Sequence, residues 1–178
     1  MLETKRLRLD LPVPEHAPLM AYAYKNSQKE LQEFMIWAQK ELTLESAEEF
    51  IDSQIDHETD ITFFPIDKET GQLVGSFSLM LDKDAIPSYE IGYWVNTDLA
   101  GNGYATEVVH ELVKYAFDEL GAKRLSILTD SRNTASERVA EKCGFEYEGI
   151  AKNGAAHWDE SGAVDVKVFS LIPTGLVN

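Results

Sequence analysis

Two closely spaced glycines stand between an apolar strand pattern and an amphipathic helix pattern in the second half of the chain. The strand pattern ends at Val95, and the helix follows the segment Ala100-Gly101-Asn102-Gly103-Tyr104-Ala105-Thr106. The first N–H groups of a helix lack intrahelical partners and lie at the positive end of the helix dipole, so they attract anions. Glycine lets the backbone approach a phosphate closely. The spacing predicts an anion site, and a plain glycine-rich turn is the alternative.

Two familiar phosphate-binding loops fit this segment less well. The Walker loop needs a Lys-Ser/Thr pair after its last glycine, and Tyr104-Ala105 stands there instead. The dinucleotide fingerprint needs a third glycine where Thr106 stands, although Asp130 could serve as its acidic residue. That fold also opens with a parallel β-α-β unit, whereas antiparallel strands are predicted before this loop. A dinucleotide-binding oxidoreductase is therefore a minor alternative.

The elements that must position this loop follow from the hydrophobic periodicity. The first half predicts a strand, two short helices and a helix with Thr43 as its N-cap, at 7–11, 19–24, 28–37 and 43–55. An antiparallel meander follows at 61–66, 73–81 and 89–95, with a hairpin turn at 68–71. The second half predicts a helix ending at Gly121, a strand, a helix and two late strands, at 104–120, 124–129, 134–143, 145–150 and 164–171. Helices on a mixed, mostly antiparallel sheet predict one α/β (α+β) domain over 1–178, with its core at 7–172.

Composition limits the possible partners and location. The chain has 178 residues, of which 44 % are hydrophobic, so one well-packed domain is expected. The net charge of −15 argues against a nucleic-acid partner because like charges repel. No apolar run reaches the ~20 residues that span a bilayer, and the opening residues lack a signal-peptide pattern. The single cysteine, Cys143, cannot form an internal disulfide and is expected in the core, so a cytoplasmic protein is predicted.

Several segments together resemble the GNAT superfamily of N-acetyltransferases, and within it the ribosomal-protein N-terminal acetyltransferase (RimJ/RimL-like) group. The resemblance covers about 7–172. It is carried by Ile91-Gly92-Tyr93-Trp94, by Asn133-Thr134-Ala135-Ser136, and by Glu141-Lys142-Cys143-Gly144-Phe145. The family's diphosphate loop reads Gln/Arg-x-x-Gly-x-Gly/Ala. This chain matches it at Gly103 and Ala105 and departs from it at Ala100, which removes one polar side chain and leaves the backbone N–H groups in place.

The resemblance implies a splayed strand pair that holds acetyl-CoA as cosubstrate. The exposed strand edge pairs with the pantetheine arm, which imitates a peptide. By carry-over, the backbone of Trp94, Val95 and Asn96 is expected to line that arm, and the loop from Ala100 to Thr106 to hold the diphosphate. Asn133 is expected near the amides of the cofactor and Ser136 near its sulfur. Arg138 and Lys142 could meet the 3′-phosphate, and the interpretation as surface charges is preferred.

The resemblance also implies direct attack of a neutral amine on a thioester. Glu90 is the candidate base or amine anchor, and a solvated strand carboxylate is the alternative. Ser136 is the candidate proton donor to the departing thiolate, with an ordinary first-turn hydroxyl as its alternative and Tyr147 as a lower-ranked donor. Trp37 is expected over the acceptor pocket or packed between the first two helices. His157 and Trp158 are placed near the acceptor groove, and His157 has no partner at metal-ligand spacing, so no metal is predicted.

The acceptor is less defined than the reaction. The subgroup suggests the α-amine of a protein N-terminus, and small amines such as polyamines remain open because the fold supports many acceptors. A non-catalytic acyl-CoA-binding module is a second alternative. The resemblance implies a homodimer. No sequence feature tests this expectation.

Overall fold

The computed structural model describes residues 2–55, 57, 59–82, 86–156 and 162–173. In these residues the α-helices are α1 (Ala17–Leu31), α2 (Leu44–Gln54), α3 (Tyr104–Asp118) and α4 (Thr134–Lys142). The strands are β1 (Leu2–Glu3), β2 (Leu7–Asp10), β3 (Asp60–Asp67), β4 (Gly75–Asp82), β5 (Ser88–Val95), β6 (Arg124–Asp130), β7 (Glu146–Ala155) and β8 (Val164–Leu171). Within the described part of the chain, no helix is both long and apolar enough to cross a membrane.

All eight strands form one sheet in the order β1-β2-β3-β4-β5-β6-β8-β7. The β5–β6 pair is parallel, and every other neighbouring pair is antiparallel. The parallel pair needs a crossover connection, which α3 supplies. The predicted meander is therefore confirmed as β3-β4-β5, and so is the mixed, mostly antiparallel sheet flanked by helices.

Helices cover both faces of the sheet and give two separate cores. Because side chains alternate along a strand, Ile91 and Trp94 of β5 point to opposite faces. Ile91 packs with Val108 and Leu112 of α3 in one buried cluster. Trp94 packs in the other cluster, with buried side chains of α1, α2 and β3. The site near β5 can thus draw side chains from both layers.

The first half of the chain differs from the prediction in its helices. The two short helices predicted at 19–24 and 28–37 are wrong, because α1 runs without a break through Asn26 and Ser27. The Ser27 hydroxyl donates to the Ala23 carbonyl oxygen at 2.7 Å, so this polar residue is satisfied inside the helix. After α1, Met35 is extended and only a short 3₁₀ helix, Ile36–Gln39, follows.

Other boundaries agree more closely. The Thr43 hydroxyl caps α2 and accepts the N–H of Ser46 at 3.2 Å, as predicted. Gly121 follows α3 with a φ of 65°, the left-handed conformation expected of a C-terminal glycine. The short β1 was not predicted, and β7 continues to Ala155, five residues beyond its predicted end at Ile150.

We expect Gly75→Ala to be strongly destabilising, because β4 and β5 approach too closely for a side chain there. A Cβ added to Gly75 would lie 2.0 Å from the Trp94 carbonyl oxygen, and the φ of Gly75 is 157°. Overpacking and unfavourable backbone together should lower the free energy of unfolding by about 2–4 kcal/mol in urea denaturation. Gly71→Ala is the control, since its φ is 70° with no atom within 4 Å, so strain alone should cost about 1 kcal/mol. Equal losses in the two variants would refute the close approach.

Candidate active site

The parallel pairing of β5 with β6 stops early and leaves a gap between the two strands. It joins Ser88–Glu90 to Arg124–Ser126 and goes no further. Beyond these residues β6 stays paired with β8 as far as Asp130, and β5 stays paired with β4 as far as Val95. The two strands therefore diverge, as the family resemblance implied. The gap is part of a cleft of about 1190 Å³ that both strands line.

The main chain of β5 presents alternate residues to this gap. The N–H of Asn96 donates to the Val74 carbonyl oxygen at 2.7 Å, on the β4 side. Because backbone groups alternate between the two edges of a strand, those of Trp94 also face β4, whereas those of Tyr93 and Val95 face the gap. Of the three residues expected along the cofactor arm, Val95 thus has free backbone groups in the gap.

Trp94 and Asn96 have other roles in the structure. Trp94 lines the cleft with a side chain that is only 7 % exposed and belongs to the core under α1 and α2. Asn96 is buried outside the cleft, and its side-chain oxygen accepts the N–H of Asp98 at 3.2 Å. The Asn96 N–H is already used by β4, so it is not free to pair with the arm.

The glycine loop closes one end of the cleft. Gly101 and Gly103 both have a φ of 79°, and α3 begins at the next residue, Tyr104. A Cβ added at Gly101 would meet no atom within 4 Å, and one at Gly103 would meet only Arg6, at 3.9 Å. The space beside the loop is open to a ligand, and the first N–H groups of α3 lack intrahelical partners. The predicted loop residues that line the cleft are Ala100, Gly101, Gly103, Tyr104, Ala105 and Thr106.

Asn102 does not line the cleft and instead belongs to a network that fixes the start of α3. Its side chain donates to the Leu99 carbonyl oxygen, and its own carbonyl accepts from Arg6 at 3.1 Å. Arg6 also forms an ion pair with Glu107 at 2.6 Å and lies over the Tyr104 ring at 4.1 Å. The role of Arg6 could not be predicted from the sequence, because Arg6 lies on the approach to β2, far from the loop in sequence.

Two cations on α4 line the cleft. Arg138 and Lys142 are both exposed, and no ion pair within the described residues engages either side chain. They lie on α4, which packs against α3, and residues of the glycine loop line the same cleft. The preferred interpretation as surface charges is incomplete, since both residues are exposed and also belong to the cleft.

A tyrosine and a serine meet on the α3/α4 side of the gap. The Tyr93 and Ser136 hydroxyl oxygens are 3.0 Å apart, and either one can donate. Asn133 caps α4 by accepting the N–H of Ser136 at 3.1 Å, which fixes the serine at the first turn. The Tyr93 ring stacks on Phe77 at 5.2 Å, and burial raises the pKa of Tyr93 to about 12. Tyr93 therefore stays protonated near neutral pH.

Glu90 lies on the opposite face of β5, toward α1 and α2. It is half-buried, lines the cleft and is opposite Met80 of β4. Burial raises the pKa of the Glu90 carboxyl group. Among the described residues, no ion pair or side-chain hydrogen bond engages this carboxylate. A half-buried carboxyl group without a partner is typical of functional sites.

Trp37 packs against other aromatic side chains and also lines the cleft. Its ring lies 5.7 Å from Tyr24 and 6.5 Å from Trp94, yet the residue is 47 % exposed and lines the cleft. The buried Tyr24 hydroxyl lies 3.0 Å from the Ala38 carbonyl oxygen and 2.8 Å from that of Lys40. Tyr24 thus joins α1 to the segment that carries Trp37.

The remaining candidates lie away from the site or outside the described residues. Tyr147 is on β7, 54 % exposed, in contact with Phe169 and outside the cleft. His157 and Trp158 lie outside the described residues. Cys143 is buried in the α3/α4 core, as expected. The described residues contain no group of three or more His, Cys, Asp or Glu side chains that could hold a metal.

Comparison with known sequences points to one family. The family profile described as the acetyltransferase (GNAT) domain matches residues 6–146. YjcK of Bacillus subtilis, named a probable N-acetyltransferase, is 40 % identical over 82 residues, which are 46 % of this chain and 45 % of YjcK. The chain spans about half the length of the curated relatives it matches.

Solved structures share the complete fold. The microcin C7 self-immunity acetyltransferase MccE, solved with acetyl-CoA and AMP, has a TM-score of 0.87 at 21 % identity and covers 96 % of this chain and 94 % of its own. RimL, a ribosomal L7/L12 α-N-protein acetyltransferase solved with coenzyme A, has a TM-score of 0.83 at 20 % identity and covers 95 % of each chain. At these identities the likeness shows a common fold and nothing more.

We expect the Cys143 thiol to be unreactive in the folded protein. Burial raises its pKa to about 11, so at pH 8 the thiolate fraction is ~100-fold below that of an ordinary cysteine. Labelling with a chromogenic disulfide reagent should be at least ~100-fold slower in the native protein than in urea. Equal rates in the two conditions would show that the thiol is accessible and ionised.

Proposed function

The chain belongs to the acetyltransferase (GNAT) family, and we propose from this premise that it transfers the acetyl group of acetyl-CoA to a primary amine. The observation that carries the proposal is the gap between β5 and β6, which ends on the glycine loop before α3. A free strand edge and an anion cradle in one cleft suit a long ligand with an amide-bearing arm and a diphosphate. The proton-transfer candidates lie on either side of the same gap.

The cleft offers a matching contact to each part of that ligand. Backbone groups of Tyr93 and Val95 would pair with the amides of the arm, and Asn133 lines the same cleft. The N–H groups from Gly101 to Thr106 would bind the diphosphate, and the open space beside the two glycines leaves room for it. Arg138 and Lys142 would supply positive charge to a polyanion, which is needed because the whole chain carries −15.

The reaction needs one proton removed and one proton supplied. When bound, acetyl-CoA supplies a thioester whose carbonyl carbon bonds to the amine nitrogen while the carbon–sulfur bond breaks. Glu90 accepts the proton that the nitrogen loses, directly or through a water molecule, from the α1/α2 face. Ser136 donates a proton to the sulfur from the α3/α4 face and recovers one from Tyr93 at 3.0 Å. Tyr93 then regains a proton from water, and Glu90 releases the proton that it accepted to water. The Val95 N–H, turned to the gap, would donate to the thioester oxygen.

The acceptor class, the cellular location and the oligomeric state are further parts of the same proposal. The α-amine of a protein N-terminus, including a ribosomal protein, and small amines such as polyamines are the acceptor classes to compare. The name of RimL supports the first class for that protein. A cytoplasmic location agrees with a buried, unpaired thiol. A homodimer is part of the same proposal, and light scattering tests it.

We expect Gly103→Val to weaken acetyl-CoA binding by at least tenfold, equivalent to about 1.4 kcal/mol. A branched side chain there would fill the space beside the cradle. Gly121→Val is the matched control, because Gly121 has a similar φ of 65°, no atom within 4 Å, and lies beyond the other end of α3. Calorimetric titration should give the control an affinity within about twofold of the parent protein. Similar losses in both variants would attribute the effect to backbone strain and remove the cradle from the loop.

We expect Glu90→Gln and Ser136→Ala each to lower kcat by about 10²-fold, a usual effect of losing a positioned acid or base. Acetyl-CoA affinity should stay constant. Glu90 must be ionised to accept a proton, so activity of the parent protein should rise with pH through its raised pKa, and Glu90→Gln should remove that limb. Tyr93→Phe should give a smaller loss.

Thr134→Ala is the control, because Thr134 shares the first turn of α4, is exposed and lies outside the cleft. Its kcat should equal that of the parent protein. Full activity in the Glu90→Gln/Ser136→Ala double variant would reject both assigned roles. Tight acetyl-CoA binding without transfer to any amine would instead identify a non-catalytic acyl-CoA-binding module.

A further inference from the structure

The side of the cleft beneath α1 and α2 has an apolar wall. It consists of six side chains that remain partly or largely exposed: Phe34, Met35, Trp37, Leu42, Phe50 and Met80. A concave site lined by exposed apolar side chains is unusual in a protein that binds no ligand or partner. Such a site marks a place where a ligand is buried. Most of this wall comes from α2 and from the segment between α1 and α2.

The proposed acetyl-CoA site does not account for this wall. The strand edge, the glycine loop and α4 lie in the gap or on the α3/α4 face. The wall lies on the opposite face of β5, which is the face that carries Glu90. Trp37 is an example of this uncovered apolar surface, because it remains 47 % exposed although its ring contacts Tyr24 and Trp94. The wall is therefore available to the second substrate.

The charges beside the wall select one kind of apolar substrate. Glu41, Asp60 and Glu90 line this side of the cleft. Among the described residues on this side, Lys40 is the one cation, since Arg138 and Lys142 lie on α4. The Glu90 carboxylate has no ion pair or hydrogen bond within the described part of the chain. Acidic groups attract an ammonium and repel a neighbouring carboxylate. Charge thus favours an amine and disfavours a free amino acid.

We propose that the acceptor is a primary amine joined to a large apolar group, with no carboxylate next to the amine. The inference rests on the proposed function and narrows its acceptor. The apolar group contacts the wall around Trp37 while the amine lies beside Glu90 at the gap. A peptide with a large apolar first residue and a small arylalkyl amine share this chemistry. Serine and alanine N-termini are too small to cover the wall.

Acetylation rates of matched amines test the size and charge preferences. Tryptophanamide, serinamide and free tryptophan are compared with hexapeptides that begin with Trp or Ser, using acetyl-CoA as donor. We expect kcat/KM for tryptophanamide to exceed that for serinamide by at least ~10-fold, the usual value of an added apolar group in a fitting pocket. Free tryptophan should react more slowly than its amide. The hexapeptides test a protein acceptor, and the amides test a small amine. A preference for Trp over Ser in either set of substrates supports the inference.

Variants of the wall test whether Trp37 carries the preference. Trp37→Ala should lower the ratio of kcat/KM for tryptophanamide to kcat/KM for serinamide by ~10-fold. Ile36→Ala is the matched control, because Ile36 is adjacent, 50 % exposed and outside the cleft. Unchanged acetyl-CoA affinity shows that each variant is folded. If Trp37→Ala does not fold, Met80→Ala makes the same test from the sheet side of the wall.

Binding measurements separate this inference from the proposed function. Both amides are titrated into the protein saturated with coenzyme A, where no transfer can occur. Tighter binding of tryptophanamide without acetylation of any amine would support the apolar site and reject the transferase. Acetylation of serinamide as fast as tryptophanamide, or faster, would overturn the apolar acceptor and leave the transferase in place.

Discussion

The site depends on the early end of the hydrogen-bonded pairing between β5 and β6. A strand that loses one neighbour leaves a row of N–H and C=O groups that must find other partners. Here β4 holds β5 extended from the far side, so the free edge keeps its regular spacing instead of unwinding. The edge is therefore ready to pair with an amide-bearing ligand. The glycine loop follows directly and adds a place for negative charge at the end of the same path.

The sheet divides the chemistry between its two faces. The alternation of side chains along β5 sends Glu90 to the layer of α1 and α2, and Tyr93 to the layer of α3 and α4. The gap connects these layers, so a group held within it can be approached by an amine from one side and by a proton donor from the other. The proposed acid and the proposed base are thus kept apart without any direct contact between them.

The sequence was sufficient for local features and insufficient for contacts between distant segments. The meander, the cap at Thr43 and the loop before α3 depend on patterns a few residues long, and the structure agrees with them. The bond from the Asn96 N–H to β4 could not be predicted, because strand position alone does not say which edge that N–H faces. The Tyr93–Ser136 pair and the position of Arg6 beside Asn102 join residues far apart in the chain, which no local pattern reveals. The break predicted within α1 failed because Ser27 finds its partner inside the helix.

The hydroxyl of Tyr24, held between two carbonyl oxygens of the segment after α1, has a consequence for selectivity. That segment has little regular structure of its own, and without the tyrosine its aromatic side chain could adopt many positions. Because the anchor is in place before any ligand arrives, binding requires little additional loss of conformational entropy. The segment that carries Trp37 is thus preorganised for the proposed acceptor. Selectivity would then arise from the fixed shape of the pocket. The pocket would not change shape to fit an amine that matches it poorly, so such an amine would bind weakly.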